Sequence, residues 1–178
     1  MNRNNFSKGL FVLPLLLVFG GCTAGFNTMP IQELEPSPTI PYWAIRVDVN
    51  PALAEDATQE LTDLEIQLME GIKELGAVKK VVLEHPGTET ENSLLIRVTV
   101  SNLRKVSGTS RFFLGSFAGK AKMTALVDFI DGNDGTELGK YKIVGSSGGS
   151  GFSGGTEDAV TQTAEAIITI LAENYSIP

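Results

Sequence analysis

Four features of the sequence combine residue types at spacings from which chemistry could be built. Gly149-Ser150-Gly151-Phe152-Ser153-Gly154 reads G-x-G-x-x-G. A dinucleotide site also needs a second parallel strand beyond the next helix, with an acid to hold the ribose; no strand pattern follows here, and the tract reads as a connection. Overlapping it, Gly151-Phe152-Ser153-Gly154-Gly155 fits G-x-S-x-G. A serine in such an elbow needs an acid and then a histidine downstream to take its proton. The only histidine is His85, upstream in an expected loop, so a hydrolase triad is excluded. Asp131-Gly132-Asn133-Asp134-Gly135 imitates the start of a calcium loop, but its fifth position is glycine and the bidentate glutamate is missing. A hairpin turn accounts for the same residues. Apart from these features, Glu89 and Glu91 pair two carboxylates in a loop with no third group in view. Neither a cofactor nor a metal is expected, and one Cys with one His is too little for a zinc site or a disulfide framework.

The fourth feature is basic. Residues 92–127 hold Arg97, Arg104, Lys105, Arg111, Lys120 and Lys122 and not one acid, in a chain with 14 bases, 21 acids and a formal charge of −7. That overall balance argues against nucleic acid as a partner. Inside the stretch lie Phe112-Phe113-Leu114 and Phe117. Two readings compete: the bases solvate the outer face of a sheet while the phenylalanines fill core, or the stretch is a docking surface with apolar anchors.

The elements that must position these residues follow from periodicity. Residues 42–49 alternate, with Trp43, Ile45, Val47 and Val49 on one side and Arg46 and Asp48 on the other, a half-buried strand. Leu61, Leu64, Leu68, Ile72 and Leu75 form one helical stripe that Gly76 ends. Residues 78–83 make a short strand. Three longer ones follow at 93–103, 120–130 and 136–144, the last two joined by the 131–135 turn. After the Gly/Ser tract of 145–155, Thr156 is expected to cap a second helix with the stripe Val160, Ala164, Ile167, Leu171 and Tyr175. The order β-α-β-β-β-β-α predicts an α+β domain over residues 42–178: a mainly antiparallel five-stranded sheet with two helices on one face. Its other face is then open, and the alternation sends Arg97, Lys120, Lys122, Lys140 and Lys142 there, with Phe112 and Phe113 at its edge. Like charges on adjacent strands call for an anion or an acidic partner across them.

The N-terminus reads as an address. Arg3 and Lys8 precede an apolar run at 9–19, too short to cross a bilayer in helix but suited to a secretory signal. Gly20-Gly21-Cys22 closes it, and this resembles the lipobox of bacterial lipoproteins. That resemblance implies acylation of Cys22 and removal of residues 1–21, which leaves 12 bases against 21 acids, a formal charge of −9. By resemblance to the sorting rule of enteric-bacterial lipoproteins, Thr23 in place of Asp after the cysteine implies the outer membrane, facing the periplasm. Residues 22–41 hold Pro30, Pro36, Pro38 and Pro41, half of all prolines, and are expected to be an extended tether.

Arg111-Phe112-Phe113-Leu114-Gly115, Gly119-Lys120-Ala121-Lys122, Asp131 before the turn glycines and the Gly/Ser tract before the last helix occur in that order. In this the chain resembles the bacterial envelope lipoproteins grouped as domain of unknown function 4410. The resemblance implies fold and location and no site, since that family has no assigned activity. The expected function is that of a membrane-anchored, non-catalytic binding or assembly subunit of the cell envelope. Its partners would be the membrane, through the lipid at Cys22, and an anionic protein, glycan or lipid phosphate across the basic face. A periplasmic binder of a small molecule or glycan is the alternative, and an enzyme with an unrecognised site a more distant one.

Overall fold

The computed structural model describes residues 24–36, 41–52, 56–76, 78–88, 91–106, 119–148 and 155–175. Six strands and two helices follow in the order β1 (Gly25–Gln32), β2 (Ala44–Pro51), α1 (Thr58–Glu74), β3 (Lys80–Leu83), β4 (Ser93–Arg104), β5 (Lys122–Asp131), β6 (Glu137–Ser146) and α2 (Thr156–Asn174). They form one sheet in the order β1-β6-β5-β4-β2-β3. The fold is α+β as the pattern predicts, with two corrections: the sheet has six strands rather than five, and it is mixed.

The sixth strand lies inside the segment expected to be a tether. β1 pairs antiparallel with β6, from Gly25 opposite Ser146 to Gln32 opposite Lys140. Pro30 sits within it, opposite Tyr141, which is tolerated because β1 is an edge and an edge amide need not join a ladder. Beyond β1 the chain stays fastened. Leu34 is buried in the core, and its amide donates to the Tyr141 hydroxyl at 2.8 Å. The mixed character arises at the other side, where β2 is parallel to both β3 and β4. A helix between β2 and β3 returns the chain to the end it started from, so the two strands must run the same way. β4, β5 and β6 are antiparallel neighbours.

Both helices pack on one face. Leu64, Leu68 and Ile72 of α1, and Ala164, Ile167 and Leu171 of α2, meet Ile45, Val47, Leu94, Ile96, Val98, Met123, Val127, Phe129 and Ile143 from the sheet. The stripes read from the sequence are therefore the core. α2 approaches β6 closely at Gly145, where a Cβ would run into the Thr163 side chain and the Ala159 carbonyl. At Gly139 a Cβ would lie 3.0 Å from the Leu34 side chain, so this glycine makes room for the segment after β1. Two local expectations are corrected. Trp43 is 48% exposed because it precedes β2 and lies beyond the core. Thr156 is the first residue of α2 rather than its cap: Gly155 holds the cap position, and the Thr156 hydroxyl accepts the Val106 amide at 3.1 Å.

Candidate functional site

Of the basic residues expected on the open face, Arg97, Lys122, Lys140 and Lys142 come together on the sheet face opposite the helices, but their charges are not equivalent. Arg97 on β4 faces Asp48 on β2 in register, and its Nε lies 3.1 Å from Asp48 Oδ2. Lys140 on β6 pairs with Asp128 of β5 at 2.7 Å and with Glu137 at 2.9 Å. Hydrogen bonds to Asp128 and then to Glu137 hold its ammonium above the ordinary lysine value. Within the acid-free stretch, Arg97 is thus supplied with a carboxylate by the neighbouring strand β2, and Lys105 with one by Glu60 of α1.

Lys122 and Lys142 differ. Both are exposed, and neither has a carboxylate in ion-pair distance among the described residues. Lys122 has Ser146 and Arg104 as its register neighbours, and Lys142 has Met29 and Leu126. Lys120 lies two residues before β5 and is partly exposed. Cys22, Phe112 and Phe113 lie outside the described residues, as do Arg111 and positions 149–154 of the Gly/Ser tract. A further cation on this face is Arg46, 5% exposed, whose Nη1 is 2.7 Å from Glu84 Oε2. It was placed on the outer side by alternation, but its burial between Leu95 and Val82 depends on pairing that no local pattern carries.

The opposite end of the sheet holds a second arrangement, not legible in the sequence. The Tyr42 hydroxyl donates to Asp131 Oδ2 at 2.8 Å, while Asp131 Oδ1 accepts the Asn133 amide at 2.7 Å and the Asn133 side chain at 2.8 Å. Burial first, then the bond to Asp131, raises the Tyr42 phenol well above its ordinary value of 10.0. Chiefly the Asn133 backbone N–H, with the Tyr42 hydroxyl, holds Asp131 below the usual carboxylate range. The phenol keeps its proton and the carboxylate stays ionised throughout the neutral range. Such a pair braces the 131–135 hairpin turn and is poorly matched to proton transfer. Beside it, Gln32, Glu33, Leu34, Glu35, Tyr42, Glu137 and Tyr175 are among the residues lining a cleft of about 620 Å³.

Comparison with known proteins gives the following. The PelC chain of a dodecamer from Paraburkholderia phytofirmans has a similar fold, with a TM-score of 0.57 at 13% identity over 82% of this chain and 97% of that one. A Xanthomonas campestris protein of the DUF330 family is similar at a TM-score of 0.52 and 14% identity, covering 80% of this chain and 93% of its own. At these identities the likeness is one of fold. No curated protein matches the chain significantly. The model of the domain of unknown function DUF4410 matches residues 36–151. That span is well over half of the sequence and includes every strand from β2 to β6, and the protein belongs to the DUF4410 family.

Proposed function

We propose that the protein is an envelope lipoprotein, acylated at Cys22 on the periplasmic side of the outer membrane, that works as a non-catalytic subunit assembling with copies of itself. The observation that carries the assembly reading is the β1 edge. Of the five large apolar side chains exposed among the described residues, Phe26, Met29 and Ile31 lie on this one strand. A monomer ordinarily blunts an edge with charge, because uncovered apolar edges associate. Pro30 removes one amide donor from the strand, so side-chain packing rather than continuous strand addition is the contact it favours. The PelC chain that shares the fold forms a dodecamer, which supports self-association as the form of assembly. The locked Tyr42–Asp131 pair supports a non-catalytic role, since neither group exchanges a proton near neutral pH.

Crosslinking in intact cells tests this. The native protein is expected to give a ladder of self-adducts, and Ile31→Lys to abolish the ladder with thermal stability unchanged, because Ile31 is 61% exposed. No self-adducts, or a ladder indifferent to the substitution, contradicts assembly through this edge. The cleft beside Tyr42 favours a second reading, a binder of a small polar molecule or glycan. Saturable binding of a soluble glycan that is lost in Glu137→Gln would support that reading over self-assembly.

A further inference from the structure

We infer that one corner of the open sheet face lies on the phospholipid surface, where Lys122, Lys142 and Arg104 engage lipid phosphates. This rests on acylation of Cys22 and adds the orientation of the domain to it. Only Thr23 and Ala24 separate Cys22 from Gly25, the first residue of β1. Three chain steps reach at most about 11 Å, so a domain that includes β1 cannot stand away from its lipid anchor.

The register shows which residues share that corner. Gly25 lies opposite Ser146, Ser146 opposite Lys122, and Lys122 opposite Arg104, one row across four adjacent strands. At about 4.8 Å between strands, Arg104 is roughly 14 Å from Gly25. Lys142 stands beside Met29 on the same face, with Val144 and Leu126 partly exposed between the cations. Lys122, Lys142 and Arg104 have no carboxylate partner among the described residues, whereas Arg97 and Lys140 are neutralised by Asp48, Asp128 and Glu137. In a chain of net negative charge, Lys122, Lys142 and Arg104 form an uncompensated group beside the anchor, whereas Lys80, the other exposed cation of this face with no ion pair among the described residues, stands apart at the far end. Basic and apolar groups together are what an anionic headgroup layer binds.

Acids decide the tilt. Asp56, Glu60, Glu157 and Asp158 lie at the N-terminal ends of α1 and α2 in the other layer, and among the described residues Glu60 alone of these has an ion pair, with Lys105. Repulsion of these carboxylates from the headgroups turns the helices outward and the sheet face toward the lipid. The far end of the sheet carries Glu33, Glu35 and Asp131, and also Trp43, the single tryptophan. Ten residues of β5 separate the two ends, about 33 Å.

The chain therefore holds its own distal reporter. The acylated protein would be reconstituted in phosphatidylethanolamine–phosphatidylglycerol vesicles with and without headgroup-labelled nitroxide lipid. Native Trp43 should keep its emission, and the indole of Met29→Trp in a Trp43→Phe background should be quenched several-fold more. Asn27→Trp, exposed on the same face, serves as a second reporter. Lys122→Glu with Lys142→Glu should restore the emission of either reporter without lowering thermal stability, as both side chains are exposed. Vesicle-bound, acylated protein with equal quenching at positions 29 and 43 overturns the orientation and leaves the anchor standing. Quenching that survives the double charge reversal overturns the role of the phosphates. An unmodified Cys22 with no vesicle binding overturns the anchor reading and the orientation together.

Discussion

Individual side chains in this protein are set by partners distant in sequence, and two of them make the consequence measurable. Arg46 is buried beside Glu84, so removing the carboxylate strands a buried charge, whereas removing the guanidinium leaves a carboxylate that is 27% exposed and reached by water. Glu84→Ala should cost about 3 kcal/mol, the low end for breaking a buried pair, and Arg46→Met should stay within about 1 kcal/mol. Urea denaturation of both variants checks the difference. Tyr42 has its pKa raised in the fold, chiefly by burial, so its contribution is fully present below the unfolded value of 10.0 and is lost as pH rises above it. Native stability should begin to fall as pH rises past the unfolded value of 10.0 and keep falling toward the raised native value, and Tyr42→Phe should flatten part of the fall. The denaturation midpoint across that range is the measurement. The sequence shows why neither partner was legible: 38 residues separate Arg46 from Glu84, and 89 separate Tyr42 from Asp131. Alternation assigns a side chain to a face, but not the residue that stands beside it.

At the scale of elements, the helical stripes and the alternating strands were readable because burial on one side imposes a period on the residues themselves. Leu64, Leu68 and Ile72, or Met123, Ala125, Val127 and Phe129, are core on that ground alone. Strand direction leaves no such trace, so the parallel pairing of β2 with β3 and β4 was not readable. β1 was missed for another reason. Its Pro30 argues against regular structure only where both sides of a strand are paired, and an edge with one neighbour escapes that rule. The structure makes a clear prediction here. Leu34, in the segment expected to be a free tether, is 2% exposed and packed over Gly139. Leu34→Ala should lower stability by about 2–3 kcal/mol, as for a core leucine, where a tether residue would change nothing. Thermal or urea unfolding of that variant decides it.

For the molecule as a whole, the consequence of β1 is that an anchor at Cys22, as proposed, and the domain would be one mechanical unit. A lipid at Cys22 would be held two residues from a strand hydrogen-bonded into the sheet, so the membrane would fix the orientation of the apolar β1 edge and of the uncompensated lysines. Copies presented edge to edge on one lipid surface meet far more often than copies free in solution, which ties anchoring to assembly. The proposed acylation site is a thiol after two glycines at the end of an apolar run; the proposed partner surfaces leave no such local trace, because they depend on which charges the fold neutralises. The account therefore stands first on Cys22. Intact-mass measurement of the protein purified from its native envelope should show loss of residues 1–21 and the added mass of the acyl chains on the new N-terminal cysteine. A mature N-terminus elsewhere, or a Cys22 carrying a free thiol, would contradict it.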